Sequence, residues 1–490
     1  MYVLGIDLGT SSLKGVLINE LGEVIVSISS SYPLIHKKKG WIEQHPIEWI
    51  NAFKEVITTI MSSVPDAKKN IEGLAISGQM HGLVLLDENG EVLRPAILWN
   101  DTRTTDECNE IMTSFADEII NTTKNRALEG FTLPKILWIK KNEPNIWSKS
   151  KYIMLPKDYL VWWLTGVHAT DYSDAAGTLM LDLEEKKWSE LILEKYNIDR
   201  KQLPKLYESI ECVGKIKEDV LREFSISKEI KVMAGGADNA CSAVGAGIIN
   251  DDVGLISIGT SGVVLSYEDN LNNDYNGKIH VFNHGVPNKF YSMGVTLAAG
   301  HSLSWFKNTF APNESFESLL KGIENIPCGS EGLIFTPYIV GERTPYTDSK
   351  IRGSFTGVDT RHTLKHFTRS VLEGITFSLK DCYEFMGTAT DKSFKTMVTV
   401  GGGSKNKEWL QMQADIFDMK IRTLQVEEGP GFGAALIASV GINWFDSIEE
   451  AVQHCVKYKD EYIPKLENMS IYAEKFTIYK KLYSILTNIK

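Results

Sequence analysis

Two short turns in this 490-residue chain are built to meet phosphate. Residues 4–12 read Leu-Gly-Ile-Asp-Leu-Gly-Thr-Ser-Ser, and residues 255–262 read Leu-Ile-Ser-Ile-Gly-Thr-Ser-Gly. In each, an apolar strand runs into Gly-Thr-Ser and out into a second apolar strand, Lys14–Ile18 in the first and Val263–Tyr267 in the second. Such turns aim backbone N–H groups and hydroxyls at an anion. Gly9, Thr10, Ser11 and Lys14 on one side, and Gly259, Thr260 and Ser261 on the other, are therefore expected to hold one polyphosphate between them. The copies differ at Asp7, whose counterpart is Ser257. One acid at one strand end suits a single magnesium–phosphate complex, because Mg²⁺ keeps several waters and takes few protein carboxylates. Asp7 is expected to reach the metal through water.

A second acid, Asp238, follows a strand and two glycines (Gly235-Gly236-Ala237-Asp238-Asn239-Ala240) and opens a run of small residues. At a helix N-terminus it is expected to be ionised and to face a cleft. The glycine pair is expected to clear room for substrate. An alcohol that attacks a phosphoryl group needs a carboxylate to orient it and take its proton, and Asp238 is the candidate. A plain helix N-cap is the competing reading. Ser77-Gly78-Gln79-Met80-His81-Gly82 ends another strand, where Gln79 and His81 are placed to bond polyol hydroxyls. Asp101 and Arg103, in Trp99–Arg103, are expected on the same cleft wall, and Asn239 beside Asp238 joins the substrate contacts. Gly401–Asn406 leaves a strand with three glycines, a flat backbone for a purine, with Gly402, Gly403 and Asn406 as the contacts. There is no GxxxxGK[ST] motif. Residues 429–434 match the loose GxGxxA of dinucleotide-binding folds, but no strand-end acid follows about 20 residues on, where Glu449 and Glu450 read as helix.

The elements around these residues alternate between strand and helix. Tyr2–Asp7, Lys14–Ile18, Val24–Ile28, Ile71–Ser77, Leu83–Asp87 and Ala96–Trp99 read as strands. Pro46–Ser63 carries apolar residues at helical spacing (Trp49, Ile50, Phe53, Val56, Ile57, Ile60). Thr102–Trp188 is mostly helical and aromatic, an insertion or cap. Beyond the second hairpin, Gly332–Tyr338, Thr396–Val400 and Ile421–Val426 read as strands. Asp359–Tyr383, Glu408–Phe417 and Gly433–Val440 read as helices, with Asp359 and Thr360 as N-caps of the first. The repeated hairpin divides the chain into residues 1–247 and 248–490.

A net charge of −11 argues against bulk nucleic-acid binding. The six cysteines form no CxxC pair and read as reduced thiols. No leader and no apolar run near 18 residues is visible, so a cytoplasmic protein with no membrane partner is expected.

The chain resembles the FGGY carbohydrate kinases over nearly its whole length. The resemblance rests on Ile6–Lys14, Trp41–Gln44, Ile76–Gly82 with Ala96–Arg103, Leu155–Tyr159, Ser173–Thr178, Gly235–Asn239, Gly341–Pro345 and Gly401–Asp415. It implies an α/β fold of two actin/hexokinase-type (ribonuclease H-like) domains with an interdomain cleft. It implies ATP and Mg²⁺ as cofactors, Asp238 as catalytic base, Asp7 near the metal, Met80 and His81 on the sugar, and Gly402 and Asn406 beside the adenine. The activity implied is ATP-dependent phosphorylation of D-xylulose, with L-ribulose, glycerol or another polyol as rival substrates. A non-catalytic ATP-binding protein of the same superfold is the reading from another class. Assembly as a homodimer is a further expectation.

Overall fold

The structure is a computed structural model that describes residues 1–389 and 394–489. β1 (Tyr2–Leu8), β2 (Ser12–Asn19) and β3 (Val24–Ser31) form an antiparallel meander. α1 (Pro46–Ser63) buries Trp49, Ile50, Phe53, Val56, Ile57 and Ile60, the stripe expected of it, and leads to β4 (Ile71–Gly78). β4 lies parallel to β1 on the side away from β2. The region from 102 to 188 is indeed mostly helical. It contains the five-residue helix α2 (Tyr172–Ala176). β5 (Cys212–Lys215) and β6 (Lys231–Met233) then complete a sheet ordered β5-β6-β4-β1-β2-β3. Gly236–Ala237 adds a short parallel pairing on β4, and α3 (Asp238–Ala246) begins directly after it.

The second sheet repeats this plan. It contains β7 (Val253–Ile258), β8 (Gly262–Glu268), β9 (His280–Asn283), β10 (Phe290–Thr296), β11 (Thr396–Gly401), β12 (Lys420–Leu424) and β13 (Tyr458–Tyr462), ordered β9-β10-β8-β7-β11-β12-β13. Each sheet has an antiparallel hairpin (β1–β2, β7–β8) and a parallel neighbour (β4, β11). A second parallel strand follows (β6, β12), then an antiparallel edge (β5, β13). The hairpins differ by one loop residue. Leu8 pairs with Leu13, whereas Ile258 pairs with Gly262.

Two helix starts differ from the sequence expectation. α4 (Leu364–Ala389) begins at Leu364, because Asp359 turns back on Arg361, accepting its backbone N–H at 2.9 Å and its guanidinium at 3.1 Å. After α5 (Lys407–Phe417), α6 (Gly429–Gly441) starts four residues before Gly433. Gly431 and Gly433 therefore lie inside the helix, not in a phosphate loop, and the dinucleotide-like match is a packing motif. A Cβ on Gly433 would lie 1.8 Å from the Cys241 carbonyl oxygen of α3, and one on Gly5 of β1 would lie 1.9 Å from the Gly431 carbonyl oxygen. Only bare backbone permits such contact. α6 belongs to the second half of the chain yet packs on β1, β4 and α3 of the first sheet. The two halves are thus joined through a glycine-lined helix pair.

Candidate active site

The site is assembled at one edge of the first sheet. Asp7 of β1 pairs in register with Ser77 of β4, and Ser77 pairs with Gly236. Three adjacent strands therefore end in one row. Asp7 and Asp238 lie at the carboxyl edge of the sheet, where open α/β sheets place their ligands. With neighbouring strands about 4.8 Å apart, the two backbones are roughly 10 Å apart, room for a phosphate and a hydroxyl between them.

Asp238 is the first residue of α3, and Ala237 holds the cap position. Its Oδ1 accepts the Asn239 backbone N–H at 2.7 Å and the Asn239 side-chain amide at 3.0 Å. Its Oδ2 has no donor among the described residues, and part of the carboxylate stays open to the cleft. Burial, reinforced by the Asp7 charge, pushes the carboxyl up to about 7, with the Asn239 N–H acting against both. The expectation that the helix N-terminus keeps this group ionised is corrected by its burial. Desolvation outweighs the helix N-terminus, and the result is a carboxylate that titrates near neutral pH. The glycine pair is also reassigned. A Cβ on Gly235 (φ +73°) would lie 2.0 Å from the Ile76 carbonyl oxygen, and one on Gly236 would lie 3.1 Å from Cys241 Sγ and 3.2 Å from Ser173 Oγ. What comes close there is protein, not substrate.

Asp7 is raised to about 6 by burial, offset in part by Lys14 and by the Ser77 hydroxyl 3.4 Å away. Lys14 itself bridges to Glu428 at 3.2 Å. Two carbonyls and a hydroxyl of the first turn are tied down by the protein. Tyr32 Oη donates to Gly9 O at 2.5 Å, Gln44 Nε2 to Thr10 O at 2.7 Å, and Trp99 Nε1 to Thr10 Oγ1 at 2.9 Å. Among the described residues the N–H groups of Thr10 and Ser11, and of Thr260 and Ser261, have no protein acceptor. Free donors on both turns suit a polyphosphate. A desolvated carboxylate without a direct ion pair, at the end of β1, fits a hydrated Mg²⁺ at Asp7.

The second turn opens on a cavity of about 660 Å³, lined by Gly259, Thr260, Gly402 and Asn406, and also by His301, Lys405 and Trp409. Asn406 caps α5, its Oδ1 accepting the Trp409 N–H at 2.9 Å. Gly403 lies behind the wall, where a Cβ would lie 2.4 Å from Ile258 Cδ1. Sequence reasoning missed His301. Its helix follows a strand and opens on Gly300, whose Cβ would lie 2.4 Å from the Gly259 carbonyl oxygen. That glycine was the available signal.

His81 sits at φ +68°, a strained conformation for a side-chain-bearing residue. Its carbonyl is held by Thr132 Oγ1 at 3.0 Å and Lys135 Nζ at 2.9 Å. Its Nδ1 lies 2.6 Å from Gly177 O, an acceptor only, so Nδ1 carries the proton and Nε2 is left as an acceptor. Burial, with Lys135 adding to it, pushes the imidazole down to about 3. It is therefore a neutral hydrogen-bond acceptor. Met80 is buried, with its Sδ 3.7 Å from Asn239 Nδ2 and 3.8 Å from Tyr291 Oη. It links the His81 turn to Asn239, the neighbour of Asp238.

Three expected contacts turn inward. Asp101 is 1% exposed, and accepts the Ile42 N–H at 2.6 Å and Arg103 Nε at 2.9 Å. Arg103 also bridges to Glu43 at 2.8 Å and stacks over Trp41 at 3.9 Å, its side chain 1% exposed. Both charges are spent within the protein, so Asp101 and Arg103 shape the wall without facing the cleft. Gln79, also 1% exposed, donates to Gln44 and to Gly9 O, behind the phosphate turn.

The model of the FGGY family of carbohydrate kinases, N-terminal domain, matches residues 2–245, and that of its C-terminal domain matches residues 254–442. The chain belongs to the FGGY family of carbohydrate kinases. Like the other members, it is a phosphotransferase with an α/β fold of two actin/hexokinase-like domains. It is 52% identical over 489 residues to a xylulose kinase of Lactococcus lactis, covering 100% of this chain and 97% of that one. It is 51% identical to a xylulose kinase of Bacillus subtilis, covering 99% and 97%. Among solved structures it resembles a protein described as a "xyloylose kinase" from Brucella ovis, with a TM-score of 0.94, 33% identity and full coverage of both chains. No helix among the described residues is long and apolar enough to cross a membrane.

Proposed function

We propose that this FGGY kinase transfers the γ-phosphoryl group of ATP to the terminal hydroxyl of D-xylulose, giving D-xylulose 5-phosphate and ADP. The observation that carries the chemistry is the free Oδ2 of Asp238. It is a carboxylate oxygen open to the cleft and without a donor among the described residues, on a group raised to about 7 beside Asp7. A sugar hydroxyl is a poor nucleophile at neutral pH. Held against Oδ2, it is oriented in line with the phosphoryl group and gives up its proton to Asp238 as the O–P bond forms. The Thr10, Ser11, Thr260 and Ser261 N–H groups stabilise the charge that moves onto the phosphate chain. Bound Mg²⁺ would neutralise phosphate charge next to Asp7. His81 Nε2 accepts a hydrogen bond from a hydroxyl farther along the sugar. The turn at Gly402–Asn406 supports the adenine.

D-Xylulose is favoured over other acceptors by the full-length identity to two proteins named xylulose kinase. The test is a screen of purified protein with MgATP over D-xylulose, L-ribulose, D-ribulose, xylitol and glycerol, read as ADP release. D-Xylulose is expected to give the highest kcat/KM. A tenfold preference for any other member of the panel would refute the substrate assignment while leaving the kinase chemistry intact.

A further inference from the structure

The segment Asp171–Gly177 touches both ends of the sugar site, yet the chemistry above uses neither of its carboxylates. We propose that Ser173 is a positioning residue for the catalytic Asp238, held in that role by Asp171 and Lys157. This rests on the reading of Asp238 as the base.

Ala237 precedes Asp238 and has no side-chain oxygen to cap α3. The hydroxyl of Ser173 instead holds the cap residue itself from outside the helix, and its Oγ accepts the Ala237 N–H at 2.9 Å. A serine hydroxyl has one proton, and here it is committed. Ser173 Oγ donates to Asp171 Oδ2 at 2.5 Å, which fixes the lone pairs towards Ala237. Asp171 Oδ2 also accepts the Ser173 N–H at 2.7 Å and sits 3.4 Å from Ser209 Oγ. Asp171 Oδ1 is 2.9 Å from Lys157 Nζ, which also holds Asp158 at 2.7 Å. Lys157, Asp171 and Ser173 are all 0% exposed. Asp174 is the third carboxylate about Lys157, at 3.8 Å, with both of its oxygens otherwise unpartnered.

A buried ion cluster is a poor device for stability alone, since replacing it by apolar groups of similar volume is often neutral or favourable. It is a good device for fixing one hydroxyl. Gly236 supports this role, because a Cβ there would come within 3.2 Å of Ser173 Oγ and crowd the bond. The far end of the same segment supplies Gly177 O, which sets the His81 tautomer. One braced segment thus aims both the base and the sugar acceptor.

The test is a double-mutant cycle on the full-length enzyme, with the preferred sugar of the wild type. Ser173→Ala is expected to lower kcat about 10²-fold, the usual result of misplacing a reacting group by an ångström, with a much smaller change in the KM for MgATP. Ser173→Thr, which keeps the hydroxyl, is expected to recover most of that loss. In the Asp238→Asn background, Ser173→Ala is expected to cost less than threefold more, because there is no base left to position. A merely structural Ser173 would lower activity by the same factor in both backgrounds, and that result overturns the proposal. Should Ser173→Ala fail to fold, Ser173→Cys in the same cycle keeps the volume while weakening both hydrogen bonds, and is judged by the same criterion. Near-normal turnover of Asp238→Asn alone would overturn the base assignment and the positioning role with it. A wrong sugar assignment would change neither readout.

Discussion

Replacing Asp238 by Asn separates function from stability in opposite directions. The amide keeps the shape of the carboxyl group, and its oxygen still accepts the two Asn239 donors. It cannot take a proton, so turnover is expected to fall by about 10²–10⁴, or roughly 3–5 kcal/mol of barrier. The stability effect follows from the raised carboxyl. Its value moves from 3.8 to about 7 on folding, a difference of about 3, and at ~1.36 kcal/mol for each factor of ten this is an upper limit of about 4 kcal/mol. Part of the carboxylate faces the open cleft and is solvated there, so roughly 2 kcal/mol is the realistic figure. The sign is set by which state holds the proton more tightly. The folded state does, so the wild type loses stability as pH rises from about 4 through about 7, and the loss is complete above that. Asp238→Asn escapes this loss. Its ligand-free Tm is expected to exceed that of the wild type by about 4–8 °C at pH 8, and by less at pH 5. Differential scanning calorimetry from pH 5 to 8 reads the stability, and coupled ADP release reads the turnover. A variant that keeps its turnover refutes the base. A variant that is inactive but gains nothing in Tm with rising pH refutes the claim that burial strains this carboxylate.

Three further outcomes are expected. Asp7→Asn should reduce turnover and raise the Mg²⁺ concentration needed for half-maximal rate while sugar binding by calorimetry survives; lost sugar binding with unchanged Mg²⁺ dependence would contradict the role of Asp7. Gly433→Ala should destabilise the protein by about 3 kcal/mol, the upper range for overpacking, because the added methyl lies 1.8 Å from a main-chain oxygen of α3 that cannot rotate away. A Tm within a degree of wild type would show that α3 and α6 part easily. Saturating sugar with a non-hydrolysable ATP analogue should reduce the radius of gyration in solution scattering, since a kinase that leaves its cleft open lets water compete for the phosphoryl group; identical profiles would count against closure.

Much of this site could be read from the chain because its chemistry is local. A strand, a glycine turn and an acid lie within a dozen residues at Asp7, and again at Asp238. The duplicated hairpin pointed to two related halves, and it sits at the same place in two sheets of the same connectivity. The misreadings share one physical cause. A glycine or a polar residue at a strand end shows that something comes close, but not what. At Gly235, Gly236 and Gly403 it is backbone or side chain of the same protein. At Asp101 it is the Ile42 N–H and at Arg103 it is Glu43, both some sixty positions earlier, which no local pattern would pair with them. Lys157 and Asp171 are fourteen residues apart and meet only after folding. What separates Asp238 from these is the capacity the fold leaves unused. Asp101 has every oxygen engaged and no exposure, whereas Asp238 keeps Oδ2 free and part of its surface in the cleft. A buried acid that the protein neither pairs nor fully shields costs stability, and such acids cluster where a fold binds and reacts.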